Sequence, residues 1–157
     1  MSAADERKLL LIEFGARWCP WCGVLQRALS GKDPKRSTPE LSRVSAGFVI
    51  ARVGVSDIDG GRPAIVAEGQ HILDQIMAGK PTATLRAYPL IAVLDPRDRK
   101  RIAIRNIDDL QVMRDKRFDP DRLATALSEM AAFVRGKGPE PREPSRIWRK
   151  LLRWWNS

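Results

Sequence analysis

An apolar run near the start of the chain, Leu9 to Phe14, is interrupted only by Glu13, closes on Gly15 and gives way almost at once to Trp18-Cys19-Pro20-Trp21-Cys22. So apolar a stretch, with β-branched and aromatic members, reads as a buried strand over 8–15. Pro20 suits the first position of a helix, where its missing N–H costs nothing and its fixed φ fits the turn. Val24, Leu25, Ala28 and Leu29 then recur at spacings of three and four, and Gly31 ends the helix. A strand feeding directly into a helix is the first half of a β-α-β unit.

The rest of the chain continues that alternation. Pro39 to Val44 is a short helix capped by Thr38, and Phe48 to Val55 is a second strand. Pro63 to Met77 is helical, with Ile65, Val66, Ile72, Leu73 and Ile76 as its inner face, stopped by Gly79 and Pro81. Leu90 to Leu94 forms a third strand, Asp95-Pro96-Arg97-Asp98 a hairpin turn, and Arg101 to Ile104 a fourth strand. Asp119-Pro120 opens a last helix that runs through Leu123, Leu127, Met130 and Phe133 to Gly136. The helical crossover makes the first two strands parallel; the short turn makes the last two antiparallel. The expected class is α/β: a four-stranded mixed sheet with helices on both faces.

Two cysteines in 157 residues are no disulfide scaffold. A bridge over two intervening residues closes too small a loop to restrain the unfolded chain, so Cys19 and Cys22 are poorly placed for stability and well placed for chemistry. At the N-cap of the helix, unpaired N–H groups and the positive end of the dipole favour negative charge on Cys19, and thiolate is the nucleophile of disulfide exchange. Arg17 adds a weaker push of the same sign. Cys22, three residues on, shares a helical face with Cys19 at disulfide distance. Cys19 is therefore the expected nucleophile and Cys22 the resolving thiol, with Trp18 and Trp21 offering apolar contact to a substrate peptide. A zinc site needs about four ligands. His71 is the sole histidine and reads as a solvent-facing helix residue, so no metal and no organic cofactor are expected.

The run Leu11-Ile12-Glu13-Phe14-Gly15-Ala16-Arg17-Trp18-Cys19-Pro20-Trp21-Cys22 resembles the strand and active-site segment of the thioredoxin superfamily. Tyr88-Pro89-Leu90-Ile91-Ala92-Val93-Leu94-Asp95 is similar to the segment that carries that family's cis-proline. The resemblance spans residues 7–135 and implies a thioredoxin-like fold. It implies that Pro89 is cis, its loop opposing the cysteines and pairing with a substrate backbone beside Tyr88, Pro20 and the two tryptophans. It also places Glu13 as a buried acid that relays a proton to and from the resolving thiol, the alternative being an outward-facing side chain. Between the cysteines thioredoxin itself has Gly-Pro. Pro20-Trp21 departs from that and leaves the direction of reaction open, because the intervening residues set the potential. The thioredoxin N-terminal strand and helix are absent.

The formal net charge is +9, of which the segment 139–157 supplies three. That favours acidic partners or anionic surfaces. Nucleic acid is not expected, since the body shows no dense Lys/Arg stripe interleaved with aromatics. The chain divides into a thioredoxin-like domain over 1–136, a Pro/Gly-rich linker over 137–144 and a tail over 145–157. At 100° per residue the tail sets Ile147, Trp148, Leu151, Leu152, Trp154 and Trp155 against Arg146, Arg149, Lys150 and Arg153. Such a basic amphipathic helix docks on its own domain, on an anionic membrane surface or on a protein partner.

The leading expectation is an enzyme, a thiol-disulfide oxidoreductase acting on protein thiols and disulfides and served by an upstream reductase or oxidase. The alternative is a redox-sensing or redox-idle binding module recruited through its tail. No leader or membrane span is legible, which favours the cytoplasm. A removed leader would make the protein periplasmic or secreted, and the tail would allow peripheral membrane association.

Overall fold

The structure is a computed structural model that describes residues 7–16, 18–55, 63–78, 88–106 and 119–141. Its elements in chain order are β1 (Leu9–Gly15), α1 (Pro20–Leu29), α2 (Pro39–Ser45), β2 (Phe48–Gly54), α3 (Pro63–Met77), β3 (Leu90–Asp95), β4 (Asp98–Asn106) and α4 (Pro120–Val134). The four strands form one sheet in the order β2-β1-β3-β4. β1 runs parallel to β2, with Leu9 opposite Phe48 and Gly15 opposite Gly54, and antiparallel to β3, with Leu10 opposite Leu94 and Phe14 opposite Leu90. β4 closes the sheet antiparallel to β3 after the two-residue turn Pro96-Arg97, with an irregular step between Leu94 and Asp95.

The period-2 alternation of β1 divides the core. Leu9 and Leu11 project into a layer built with Leu25 of α1, Leu41 of α2 and Leu123, Leu127 and Met130 of α4. Ile12 and Phe14 project the other way, into a layer with Leu73 of α3, where Ile72 and Ile76 are half-buried. Each leucine taken out of water contributes roughly 1.5–3 kcal/mol. That burial, rather than helix propensity, holds a segment as short as the seven residues of α2.

Local signals set the helix ends. The side chains of Thr38 and Asp119 accept N–H groups of the first turns of α2 and α4, and Thr38 also donates to Asp121 across the two helix starts at 2.9 Å. Gly136 takes a left-handed φ of +71°, and its N–H and that of Lys137 bond back to Phe133 and Ala132. This is the paired closure that needs a glycine.

β4 is longer than the sequence suggests, beginning at Asp98 instead of Arg101 and continuing to Asn106. The side chains of Ile65 and Val66, the helix-stopping Gly79 and Pro81, most of the linker and the whole tail 145–157 lie outside the described residues. No helix among the described residues is long and apolar enough to cross a membrane.

α3 meets the sheet through Gly69, where a Cβ would stand 2.0 Å from the carbonyl oxygen of Gly54. Gly69→Ala gains up to about 1 kcal/mol of helix propensity, but the obstacle is backbone, and overpacking of this kind costs about 1–3 kcal/mol. With backbone this close the upper end of that cost applies, and a net loss of about 2 kcal/mol is expected from urea unfolding. A variant at least as stable as the parent refutes this packing.

Candidate active site

The site lies where β1 ends and α1 begins. Cys19 is the N-cap of α1, with extended backbone (φ −82°, ψ 108°) and Pro20 in the first helical position. Its Sγ accepts the backbone N–H of Cys22 at 3.2 Å, so the sulfur does what a Ser or Asp oxygen does at other helix starts. The first turn of α1 carries no acid, and nothing on the helix competes with a negative sulfur for the dipole. Both cysteines are free thiols and both are buried.

The loop before β3 closes over the pair. The Tyr88–Pro89 peptide bond is cis. Cys19 Sγ lies 3.7 Å from the Tyr88 carbonyl oxygen, within the reach of a thiol hydrogen bond. Pro89 is buried and Tyr88 half-buried, whereas Pro20 is exposed and Trp18 is 49% exposed. Trp21 is half-buried. Cys19 thus sits at the rim among surface groups, with Cys22 beneath it.

Behind Cys22 the strand supplies a carboxyl. Glu13 shares the face of β1 that carries Leu9 and Leu11, points into the fold and is 2% exposed. Neither of its oxygens has a hydrogen-bond partner. Burial pushes its pKa up from 4.5 to about 7; the Arg52 guanidinium, with Nε 3.8 Å from Oε2, and more weakly the nearby Gln26 amide pull it down. Glycine at position 15 keeps this space open, since a Cβ there would lie 2.8 Å from Cys22 Sγ and 3.8 Å from Glu13 Oε1. The Cys22 thiol is pushed up to about 12, first by burial and then by its hydrogen bond with Cys19, with smaller contributions from the charges of Cys19 and Glu13. The Ala16 backbone N–H acts the other way.

The structure therefore gathers Cys19, Cys22, Glu13, Tyr88 and Pro89 from two stretches of chain, the β1–α1 junction and the segment before β3. Arg17 lies outside the described residues. His71 is exposed on α3, 3.1 Å from Gln75 and apart from this group. Sequence reasoning missed Arg52, Gln26 and Gly15. Gly15 was within reach of it, because residues two apart on a strand share a face, and Gly15 stands two beyond Glu13. Arg52 becomes the neighbour of Glu13 only once the register of β1 against β2 is known. No cluster of three metal-ligating side chains occurs among the described residues.

No family model and no curated protein sequence matches this chain. Solved structures do. A disulphide isomerase from Xylella fastidiosa Temecula1 superposes with a TM-score of 0.51 at 18% identity, over 82% of each chain. The germline-specific thioredoxin Deadhead from Drosophila melanogaster gives a TM-score of 0.40 at 16% identity, over 82% of this chain and 85% of its own. The exposed lipoprotein thioredoxin Etrx1 of Streptococcus pneumoniae gives 0.40 at 14%, over 80% and 87%. The first superposition, together with the strand order and helix placement above, defines the chain as a protein of thioredoxin-like fold. At 18% identity the likeness is one of architecture.

Glu13 binds a proton at about 7 in the fold against 4.5 unfolded. Between those values the native state holds the extra proton, so this contribution to stability is fully present below pH 4.5 and is lost as pH rises through 7. The gap corresponds to about 3 kcal/mol. Glu13→Gln should remove the fall. Measured from urea midpoints, the variant's stability relative to the parent should rise by about 3 kcal/mol between pH 4.5 and about pH 8. A constant difference across that range contradicts a buried carboxyl at position 13.

Proposed function

We propose that this protein is a thiol-disulfide oxidoreductase that exchanges disulfides with protein substrates through Cys19 and Cys22. The observation that carries the reading is the Cys19 sulfur at the N-cap of α1, bonded to the Cys22 N–H and facing the Tyr88 carbonyl beside cis-Pro89. In the reducing direction the Cys19 thiolate attacks one sulfur of a substrate disulfide. The substrate S–S bond breaks, one substrate thiolate leaves and takes a proton from solvent, and a mixed disulfide to Cys19 forms. The thiol of Cys22 then loses its proton and attacks Cys19 Sγ. The second substrate thiolate departs, the Cys19–Cys22 disulfide forms, and the former dithiol has given two electrons to the substrate. Run backwards, the same steps oxidise a dithiol.

The second step has a difficulty and a remedy in the same contacts. A buried thiol at about 12 releases its proton reluctantly. Two of the causes that hold it there, the hydrogen bond with Cys19 and the Cys19 charge, end when Cys19 is consumed in the mixed disulfide. Glu13, at about 7, is partly ionised at neutral pH and is the base on the inner side of Cys22. In this reading Trp18, Pro20 and Trp21 flank the attacked bond, and the strand-like backbone at Tyr88 and Pro89 aligns the substrate chain. A protein reductase or oxidase resets the pair.

A turnover assay on a protein disulfide tests this. Cys19→Ser should abolish activity. Cys22→Ser should retain the first step and accumulate a covalent adduct that is released by added dithiol. Absence of turnover in the parent under both reducing and oxidising couples, with no adduct in Cys22→Ser, rejects the enzyme and leaves the binding-module reading.

A further inference from the structure

We propose that the end of the molecule opposite the cysteines is a docking surface for an anionic phospholipid membrane, and that it holds the protein with Cys19 facing away from the bilayer. Cys19 follows the carboxyl end of β1. The other end of the sheet, about 20 Å away along seven residues of strand, gathers the start of β2, the turn between β3 and β4, and the C-termini of α2 and α4. Charges that look scattered in the sequence meet here. A cleft of about 320 Å³ between α2, the start of β2 and α4 is floored by Phe48 and Ala131 and rimmed by the exposed Arg43, Arg135 and Lys137. Arg101, at the start of β4, lays its guanidinium against Gly136, and the exposed Arg99 and Lys100 extend the same surface.

Of the acids near this end, Glu40 is bonded to Arg43 at 2.6 and 3.0 Å and Asp95 to Arg97 at 2.9 and 3.0 Å. Asp98 accepts the backbone N–H of Lys100 and Glu140 follows Lys137 in the chain, so the cations outnumber the acids here. Arg135, Lys137, Arg99, Lys100 and Arg101 make no ion pair among the described residues. A surface of this sign binds anions and is screened by salt.

The chain itself indicates which anionic partner. It leaves the cleft at Lys137 and, beyond the last described residue, Pro141, its sequence carries five cations, one acid and three of the five tryptophans over 142–157. Tryptophan with leucine, set among arginines, is the composition of segments that enter a lipid interface, where the ring sits among headgroups and the cations meet phosphate. A surface for single-stranded nucleic acid would instead present aromatic rings among these cations. The exposed large apolar side chains among the described residues are Trp18, at the cysteine end, and Val49.

The test uses the full chain and does not depend on disulfide exchange, so it stands or falls apart from the redox reading. Co-sedimentation is measured with vesicles of phosphatidylcholine alone and with phosphatidylglycerol added. Binding is expected only to the anionic vesicles, falling steeply with salt. Equal binding to both compositions, or binding to neither, overturns the proposal without any variant. Each cation near a charged bilayer changes the partition roughly five-fold, so Arg101→Gln, Arg135→Gln and Lys137→Gln combined should weaken it on the order of a hundredfold. Unaltered partition in that variant, with an unchanged melting temperature, removes the cleft from the interface. A single-stranded oligonucleotide or polyglutamate that binds more tightly than the vesicles and displaces them shows a different partner. Alkylation of Cys19 by a membrane-impermeant maleimide should proceed at the same rate on vesicles as in solution, and protection would overturn the orientation.

Discussion

β1 is hydrogen-bonded along both edges, parallel to β2 on one side and antiparallel to β3 on the other, and that double pairing positions every group of the site. Along β2 it brings Arg52 beside Glu13; along β3 it brings the Pro89 loop level with the end of the strand. At its own carboxyl end it launches α1, whose first N–H groups have no partner within the helix. The Cys19 sulfur takes one of them. Moving β1 by one residue would send Glu13 to the α3 face and replace it with an apolar side chain, because strand side chains alternate. The core therefore fixes the site: Leu9 and Leu11 cannot leave their layer without taking Glu13 with them.

Glu13 is where the sequence departs from what folding alone would select. A carboxyl that is buried without a hydrogen-bond partner destabilises the native state whenever it is ionised. Arg52 offsets this incompletely, because its side chain is half-exposed and its Nε stands 3.8 Å away. A leucine would fit the surrounding layer better. Violations of this kind concentrate where chemistry needs them. Here the carboxyl lies next to the Cys22 sulfur, with Gly15 leaving the space between them open.

The legible parts of the fold were those written in local chemistry. α1 and α3 begin and end where Pro20, Gly31, Pro63 and Met77 indicate, since prolines, glycines and apolar periodicity act within a few residues. β4 extends beyond its apolar part because it is an edge strand of the sheet, and its first residues include Arg99, Lys100 and Arg101. Charges on an edge prevent pairing with other chains, and they also hide the strand from a search for alternating apolar residues. Cys19, Cys22 and the Pro89 segment were legible because each is a short motif. The Glu13–Arg52 pair was not. It needs an inter-strand register that follows only from packing both faces of β1. The basic pole is illegible for the same reason: its cations come from α2, β4 and the end of α4, and only the antiparallel turn after β3 and the C-termini of α2 and α4 put them together.

Strand direction ties the two ends of the molecule into one arrangement. A helix can offer its positive end only to groups at the carboxyl end of the strand before it, so the sulfur chemistry had to lie at that edge of β1. The same polarity sends the C-termini of α2 and α4 to the opposite edge, where helix carbonyls are partly negative and cationic side chains are favoured. Arg43 and Arg135 stand at those two ends. An electropositive surface thus forms at the far end of the sheet from the two cysteines, and the alternation of strand and helix is sufficient to keep the two apart.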